Sequence, residues 1–210
     1  MKAYLRRLLP LCLILAAIAA ALPIGARATT IIPPTFDELV TRADTVFTGD
    51  VLGVRSEYAG EGPTRRIVSQ VTFNVLRVMK GQATTPFALQ MLGGTVGTRS
   101  LVVDGMPHFV TGDRVVVFVK DNGKQFFPAV GAMNGVYRLE RNTAAPDSAE
   151  LVYDHTRRTV ESVADIGQDA MALKTRRLAV RNDASPSGGP LTREQFEAAI
   201  VGRLGALGLK

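Results

Sequence analysis

The spacing of apolar side chains changes period several times along the chain. Phe36, Leu39, Val40 and Ala43 recur at helical spacing, and Thr35 stands three residues before Glu38 as in a capping box, so a short helix is predicted there. Ile31-Ile32-Pro33-Pro34 ahead of it is expected to be extended, because each proline disfavours helix at the residue before it. Beyond Asp44 the period falls to two. Thr45 to Val54 reads as a strand with Gly49 and Gly53 in its interior, the mark of a bend or of close backbone approach. Tyr58 to Thr64 reads as a polar loop. In Ile67 to Val78 the residues Val71, Phe73 and Val75 alternate with Gln70, Thr72 and Asn74, and the phase then shifts to Leu76 and Val78, which predicts a bulge near Val75. Further strands are predicted at Phe87 to Leu92, Arg99 to Val103, Val115 to Val119, Gln125 to Phe127 and Gly135 to Leu139, with Asn122-Gly123 as a hairpin turn.

Short strands following one small helix define a mainly β chain. They are expected to form a small closed or nearly closed antiparallel barrel, OB-fold-like, over residues 35–140. Residues 141–182 add an edge strand at Leu151 to Tyr153 and a helix candidate at Ser162 to Arg177. The stretch 183–190, "DASPSGGP", has linker composition. A final amphipathic helix is predicted within 191–210, boxed by Thr192 and Gln195, with Phe196, Ile200, Leu204 and Leu207 on one face. That face is expected to dock either on the barrel or on another molecule.

The first 28 residues change the electrostatic picture. Lys2, Arg6 and Arg7 precede an apolar run from Leu8 to Leu22, and Pro23, Gly25 and Ala26-Arg27-Ala28 follow, the order of an export signal. Cleavage is expected after Ala28, placing Thr29 first in an exported chain, periplasmic or secreted, with no membrane span left. The formal charge of +6 rests on 25 basic and 19 acidic residues. Four of the basic residues leave with the signal and no acid does, so the mature chain is close to neutral and nucleic acid is not an expected partner. The single cysteine, Cys12, lies in the signal as well. The mature chain is therefore expected to carry no disulfide, thiol nucleophile or thiolate metal site.

Candidate chemistry is sparse. Gly93, Gly94 and Gly97 resemble a phosphate loop in composition, but a β-like run follows them where a helix N-terminus would be needed, so they read as turns. His108 and His155 are the only imidazoles, too far apart in sequence to suggest a zinc site, and no cofactor or metal is expected. No G-x-S-x-G elbow is present. Asp44 with Asp50, and Asp104 with Asp113, can be paired on paper and read as ordinary surface acids. Arg65-Arg66 and Arg176-Arg177 read as candidate anion contacts or as a solvated face. No catalytic residue is assigned.

"FDELVTRADTVFTGDVLGVRSE" followed by "VTFNVLRVMKG" resembles the N-terminal part of the netrin-like module of tissue inhibitors of metalloproteinases, netrins and complement proteins. "GDRVVVFVK", Gly112 to Lys120, is similar to a later strand of that module. Leu92 to Gly97 and Gly105 to Phe109 also resemble stretches in exported bacterial proteins with no assigned activity. The resemblance spans roughly Thr35 to Leu139 and implies an OB fold. In the inhibitors, an N-terminal cysteine chelates the protease zinc and disulfides pin it; here the matching end is Thr29-Thr30-Ile31-Ile32, without either.

The resulting expectation is an exported, non-enzymatic β-barrel module that binds a protein, possible partners including an exported metalloprotease, or an envelope component. The alternatives are a metalloprotease inhibitor acting through the mature N-terminus, and a hydrolase or metal-dependent enzyme around His108, Asp104 and Asp113. Candidate partner-binding residues are Thr29, Thr30, Ile31, Met106, Pro107, His108 and Phe109, the last four as an exposed segment. Gly49, Gly93, Gly94, Gly97, Asn122 and Gly123 are assigned to bends and turns.

Overall fold

Thr35 caps the first helix as its spacing requires. Its hydroxyl accepts the Glu38 backbone N–H at 3.3 Å, and the Glu38 carboxylate accepts the Thr35 N–H at 2.8 Å. Helix α1 then runs over Phe36–Arg42. The computed structural model describes residues 32–141, 148–168 and 189–209. Eight strands follow α1: β1 (Thr45–Ala59), β2 (Arg66–Lys80), β3 (Phe87–Leu92), β4 (Gly94–Val96), β5 (Arg99–Leu101), β6 (Arg114–Val119), β7 (Val136–Glu140) and β8 (Leu151–Tyr153). Helix α2, Arg193–Ala206, closes the described chain.

The mainly β expectation holds. Six strands form one antiparallel sheet in the order β3-β2-β1-β6-β7-β8, while β4 and β5 make a separate hairpin. The sheet is not closed: β3 and β8 are its ends, and strand pairing does not join them. Side chains and loops cover both ends instead. The Asn122 side chain donates to Ala88 O at 2.8 Å and accepts Gln90 N at 3.2 Å, and Leu92 N donates to Phe126 O, all along the outer edge of β3. Along β8, Val152 N donates to Leu191 O and Val160 N donates to Val152 O. Covered edges do not invite pairing with other chains.

Two local expectations change. No strand forms over Gln125 to Phe127, and Asn122-Gly123 is part of a wider turn in which Asp121 O accepts both Lys124 N and Gln125 N. The asparagine amide binds β3, so it serves the sheet edge and not a two-residue hairpin. The β1–β2 hairpin is also longer than predicted, because Tyr58 pairs with Ile67 and Ala59 with Arg66. The helix candidate begins as a 3-10 turn at Val163–Asp165; its residues 169–177 lie outside the described residues, as does most of the 183–190 linker.

The phase shift near Val75 has its counterpart in the register. Thr48 faces Arg77 while Gly49 faces Val75, leaving Leu76 as the extra residue of a bulge. A second slip passes over Leu52 between Val51 and Gly53. At Gly49 a Cβ would lie 2.9 Å from Asn74 O and 3.1 Å from the Phe47 ring, so the bend admits no side chain. β1 pairs with β2 along its whole length but with β6 only from Thr45 to Asp50.

Alternation along β1 and β6 serves two cores. Val46, Val116 and Phe118 face α1 and α2; Phe47, Val51, Val115 and Val117 meet Val71, Phe73, Leu89 and Phe109 on the other face. The second core is knit by edge-on rings, Phe47 to Phe73 at 5.3 Å and Phe73 to Phe109 at 5.4 Å. In the first, Phe196 of α2 sits 5.0 Å from Tyr137 and 6.4 Å from Phe118. Phe196, Ile200 and Leu204 are buried, so the apolar face of α2 docks on its own sheet. Phe196→Ala is expected to lower unfolding free energy by about 3–5 kcal/mol, read as a shift of the urea midpoint.

Candidate functional site

β1 changes partner after Asp50, and the charged residues gather there. Thr48 and Asp50 share the face of β1 that carries Val46, since alternate strand residues point the same way. Asp50 stands directly across from Arg114 in the β1–β6 register, and the two form a bidentate pair at 2.6 and 3.1 Å. Arg114 also donates to Glu150 Oε1 at 2.6 Å. Glu150, just before β8, has Arg141 at 3.4 Å and Arg193 of α2 at 3.1 Å, although its Oε2 accepts no hydrogen bond of good geometry. One turn along α2, buried Glu197 accepts the Thr48 hydroxyl at 2.7 Å and Arg77 at 2.8 Å. The chain of contacts thus leaves β1 at Asp50 and returns to it at Thr48.

Beside this network lies a cleft of about 710 Å³ lined by Asp50, Asp113, Arg114, Arg138, Arg141 and Glu150 among others. Its charged side chains are ion-paired, and Glu140, which also lines it, pairs with Arg157 at 2.7 Å. Asp113 accepts the Val110 N–H at 3.0 Å and pairs with Arg138, which also donates to the His108 carbonyl. Hydrogen bonding to Asp50 holds the Arg114 guanidinium above its ordinary pKa against the opposing effect of burial, and the Glu150 and Asp50 charges add to it. The Asp50, Asp113 and Glu150 carboxylates are engaged by guanidiniums that link β1, β6, β7 and α2.

The stretch from Leu92 to Phe109 folds back over the sheet. Gly94 opens β4, with φ of +129°, and a Cβ there would overlap the hydroxyls of Ser56 and Ser69. Those serines are register partners 3.0 Å apart; Ser69 donates to Gly93 O and Ser56 accepts Thr95 N. Gly97, with φ of +60°, turns the chain between β4 and β5. These glycines bring strands together and face no helix N-terminus. Of the proposed exposed segment, Pro107 and Phe109 are buried and Met106 packs partly on the second core; His108 is the exposed member. Burial follows from Phe109 closing the ring cluster with Phe73.

His155 is exposed, away from His108 in sequence and beside the Asp154 turn, where Thr156 and Arg158 both donate to the carboxylate. Among the described residues, no group of three or more His, Cys, Asp or Glu is placed to hold a metal ion. No described helix is long and apolar enough to cross a membrane. Thr29, Thr30 and Ile31 lie outside the described residues. Ile32 is 84% exposed and Pro34 is buried. A Cβ on Gly131 would lie 2.6 Å from Pro34 Cδ, and one on Gly167 2.7 Å from Pro34 O. Two glycines thus clamp the proline.

No protein-family model matches the chain, and no curated protein matches it. The residues that sequence reasoning missed are Glu150, Glu197 and Arg193. Glu197 carried one signal, a carboxylate next to Phe196 on an otherwise apolar helical face; nothing local marks Glu150. Arg114→Ala leaves Asp50 without its guanidinium and takes one of three cations from buried Glu150, and is expected to cost about 2–4 kcal/mol. Chemical denaturation checks the loss, and a melting point equal to wild type would remove the network from the account of stability.

Proposed function

We propose that the mature chain is an exported, non-enzymatic β module that binds a protein or another envelope component. Its antiparallel sheet, with the 120–128 loop laid along the edge of β3, is the support for reading it as an open relative of a small OB-like barrel. The observation that supports a binding role is the division of labour among side chains. Charged groups of the cleft are engaged with one another, whereas Ile32, Val110, Phe126 and Phe127 are 84%, 51%, 47% and 40% exposed. Apolar side chains held outward on a thiol-free fold are available for a partner.

Capture from the exported fraction, with the chain from Thr29 as bait, is the direct test. A saturable partner supports the reading. Stoichiometric zinc retained by the purified chain and lost in His108→Ala would sink it in favour of an enzyme.

The Pro34 clamp favours one second reading, inhibition of a metalloprotease by the N-terminal segment that begins at Thr29. A free α-amine can ligate zinc when neutral, and a proline held between Gly131 and Gly167 anchors the segment's root without a disulfide. Inhibition of a zinc endopeptidase is expected to vanish when one residue is added before Thr29. Gly167→Val, which crowds Pro34, is expected to weaken inhibition at least tenfold. Equal inhibition by the extended chain rules the wedge out.

A further inference from the structure

Arg65 and Arg66 are not used by the cleft, the cores or the clamp. Arg65 Cζ lies 4.1 Å from the centre of the Tyr58 ring, and Arg66 Cζ lies 5.2 Å from that of Phe126. Each guanidinium rests on an aromatic face, which positions it while leaving its N–H edges free. Among the described residues, neither has a carboxylate within ion-pairing distance, unlike Arg77, Arg114, Arg138 and Arg193. Both are exposed, at the tip where β1 turns into β2.

The neighbouring loop adds greasy rings to these cations. Phe126 and Phe127 are 47% and 40% exposed, a large fraction for phenyl side chains. Their backbone is held: Phe126 O accepts Leu92 N at 3.2 Å, and Lys120 N donates to Pro128 O at the loop base. The hairpin tip and loop carry Arg65, Arg66, Lys120 and Lys124 against Glu61 and Asp121, and Lys120 lies 3.8 Å from Asp121. That leaves a net positive tip, with the Phe126 ring against Arg66 and exposed Phe127 next to it in the chain.

We propose that this tip, Tyr58, Arg65 and Arg66 with Lys124, Phe126 and Phe127, docks the module on an anionic phospholipid surface. The inference rests on the reading of the chain as a binding module with an envelope partner, and it names that partner. Lipid phosphates meet the guanidinium edges while the phenyl rings enter the headgroup region, where amphipathic and aromatic side chains are stabilised. A polyanionic polysaccharide would use the cations but gain little from exposed phenyl rings. A single small anion would need converging walls, and both arginines stand in the open.

The test is flotation of the chain beginning at Thr29 with vesicles of phosphatidylglycerol and phosphatidylcholine, against phosphatidylcholine alone. Binding is expected only to the anionic vesicles and to weaken with salt. Each basic residue near such a surface is worth about fivefold in binding. Arg65→Glu with Arg66→Glu is therefore expected to reduce it at least ~25-fold, while Arg65→Lys with Arg66→Lys stays within a few fold. Phe126→Ser with Phe127→Ser is expected to lose binding at an unchanged melting point. Equal binding to neutral vesicles overturns the proposal, as does retention on a sulfated polysaccharide column without vesicle binding. So does a serine double variant that binds like wild type. If vesicle binding fails while an exported partner is still captured, the lipid surface alone is wrong; loss of both defeats the module reading as well.

Discussion

The fold depends on one strand having to serve two neighbours that diverge. β1 runs for 15 residues against β2, yet β6 accompanies it only to Asp50. At that point Val51 N donates to Asp113 O and Gly112 N to Val51 O, both at 2.8 Å, while Arg114 grips Asp50. The turn leading into β6 thus ties itself to β1 just where the ladder stops. Gly49 makes the bend sterically possible, and the Asp50–Arg114 pair holds the strand that departs. Beyond it, β4 folds over β1 and β2 on the contact between Gly94 and the two serines.

The end of α1 and the end of β2 meet in space for a physical reason. Lys80 at the end of β2 donates to Val40 O at 2.8 Å and Thr41 O at 3.1 Å, supplying a cation to the C-terminal carbonyls of α1. Burial lowers the Lys80 pKa even though the Asp44 charge opposes it. Gly81 then has no room for a side chain, since a Cβ would overlap Asp44 O. Helix end and strand end are complementary surfaces, so a change in either stretch is felt by the other. Gly112, Asp113 and Arg114 act on β1 in a similar way, supplying two backbone bonds and a guanidinium where its pairing with β6 ends.

Local chemistry was legible and long-range assembly was not. Both capping boxes, the β character, the bulge at Leu76 and the edge strand at Leu151 to Tyr153 follow from patterns a few residues long. That the sheet stays open does not, because it depends on what meets β3 and β8, and a turn dipeptide such as Asn122-Gly123 can give its amide to a strand 32 residues away. The burial of Pro107 and Phe109 was hidden for a related reason. A loop with a proline and a lone histidine looks solvent-facing, yet Phe109 completes a ring cluster with Phe73 that periodicity cannot see. Glu150 sits in no pattern at all, and only the folded chain brings Arg114, Arg141 and Arg193 around it.

A chain with a single cysteine has no internal disulfide to limit its unfolded state, so its elements must be placed by contacts alone. Apolar packing is forgiving about register, whereas a carboxylate shared among guanidiniums is not. Glu150 and Glu197 lie on either side of Arg193, and between them reach β1, β2 and β6. Sliding α2 by one turn would leave Phe196 near other apolar residues but would strip Glu197 from Thr48 and Arg77. Hydrophobic burial therefore attaches the helix, and the buried carboxylates choose where it attaches. Pro34 is placed by exclusion instead: a Cβ at Gly131 would meet its ring at 2.6 Å and one at Gly167 its carbonyl at 2.7 Å, so both neighbours must be glycine for the proline to be buried there.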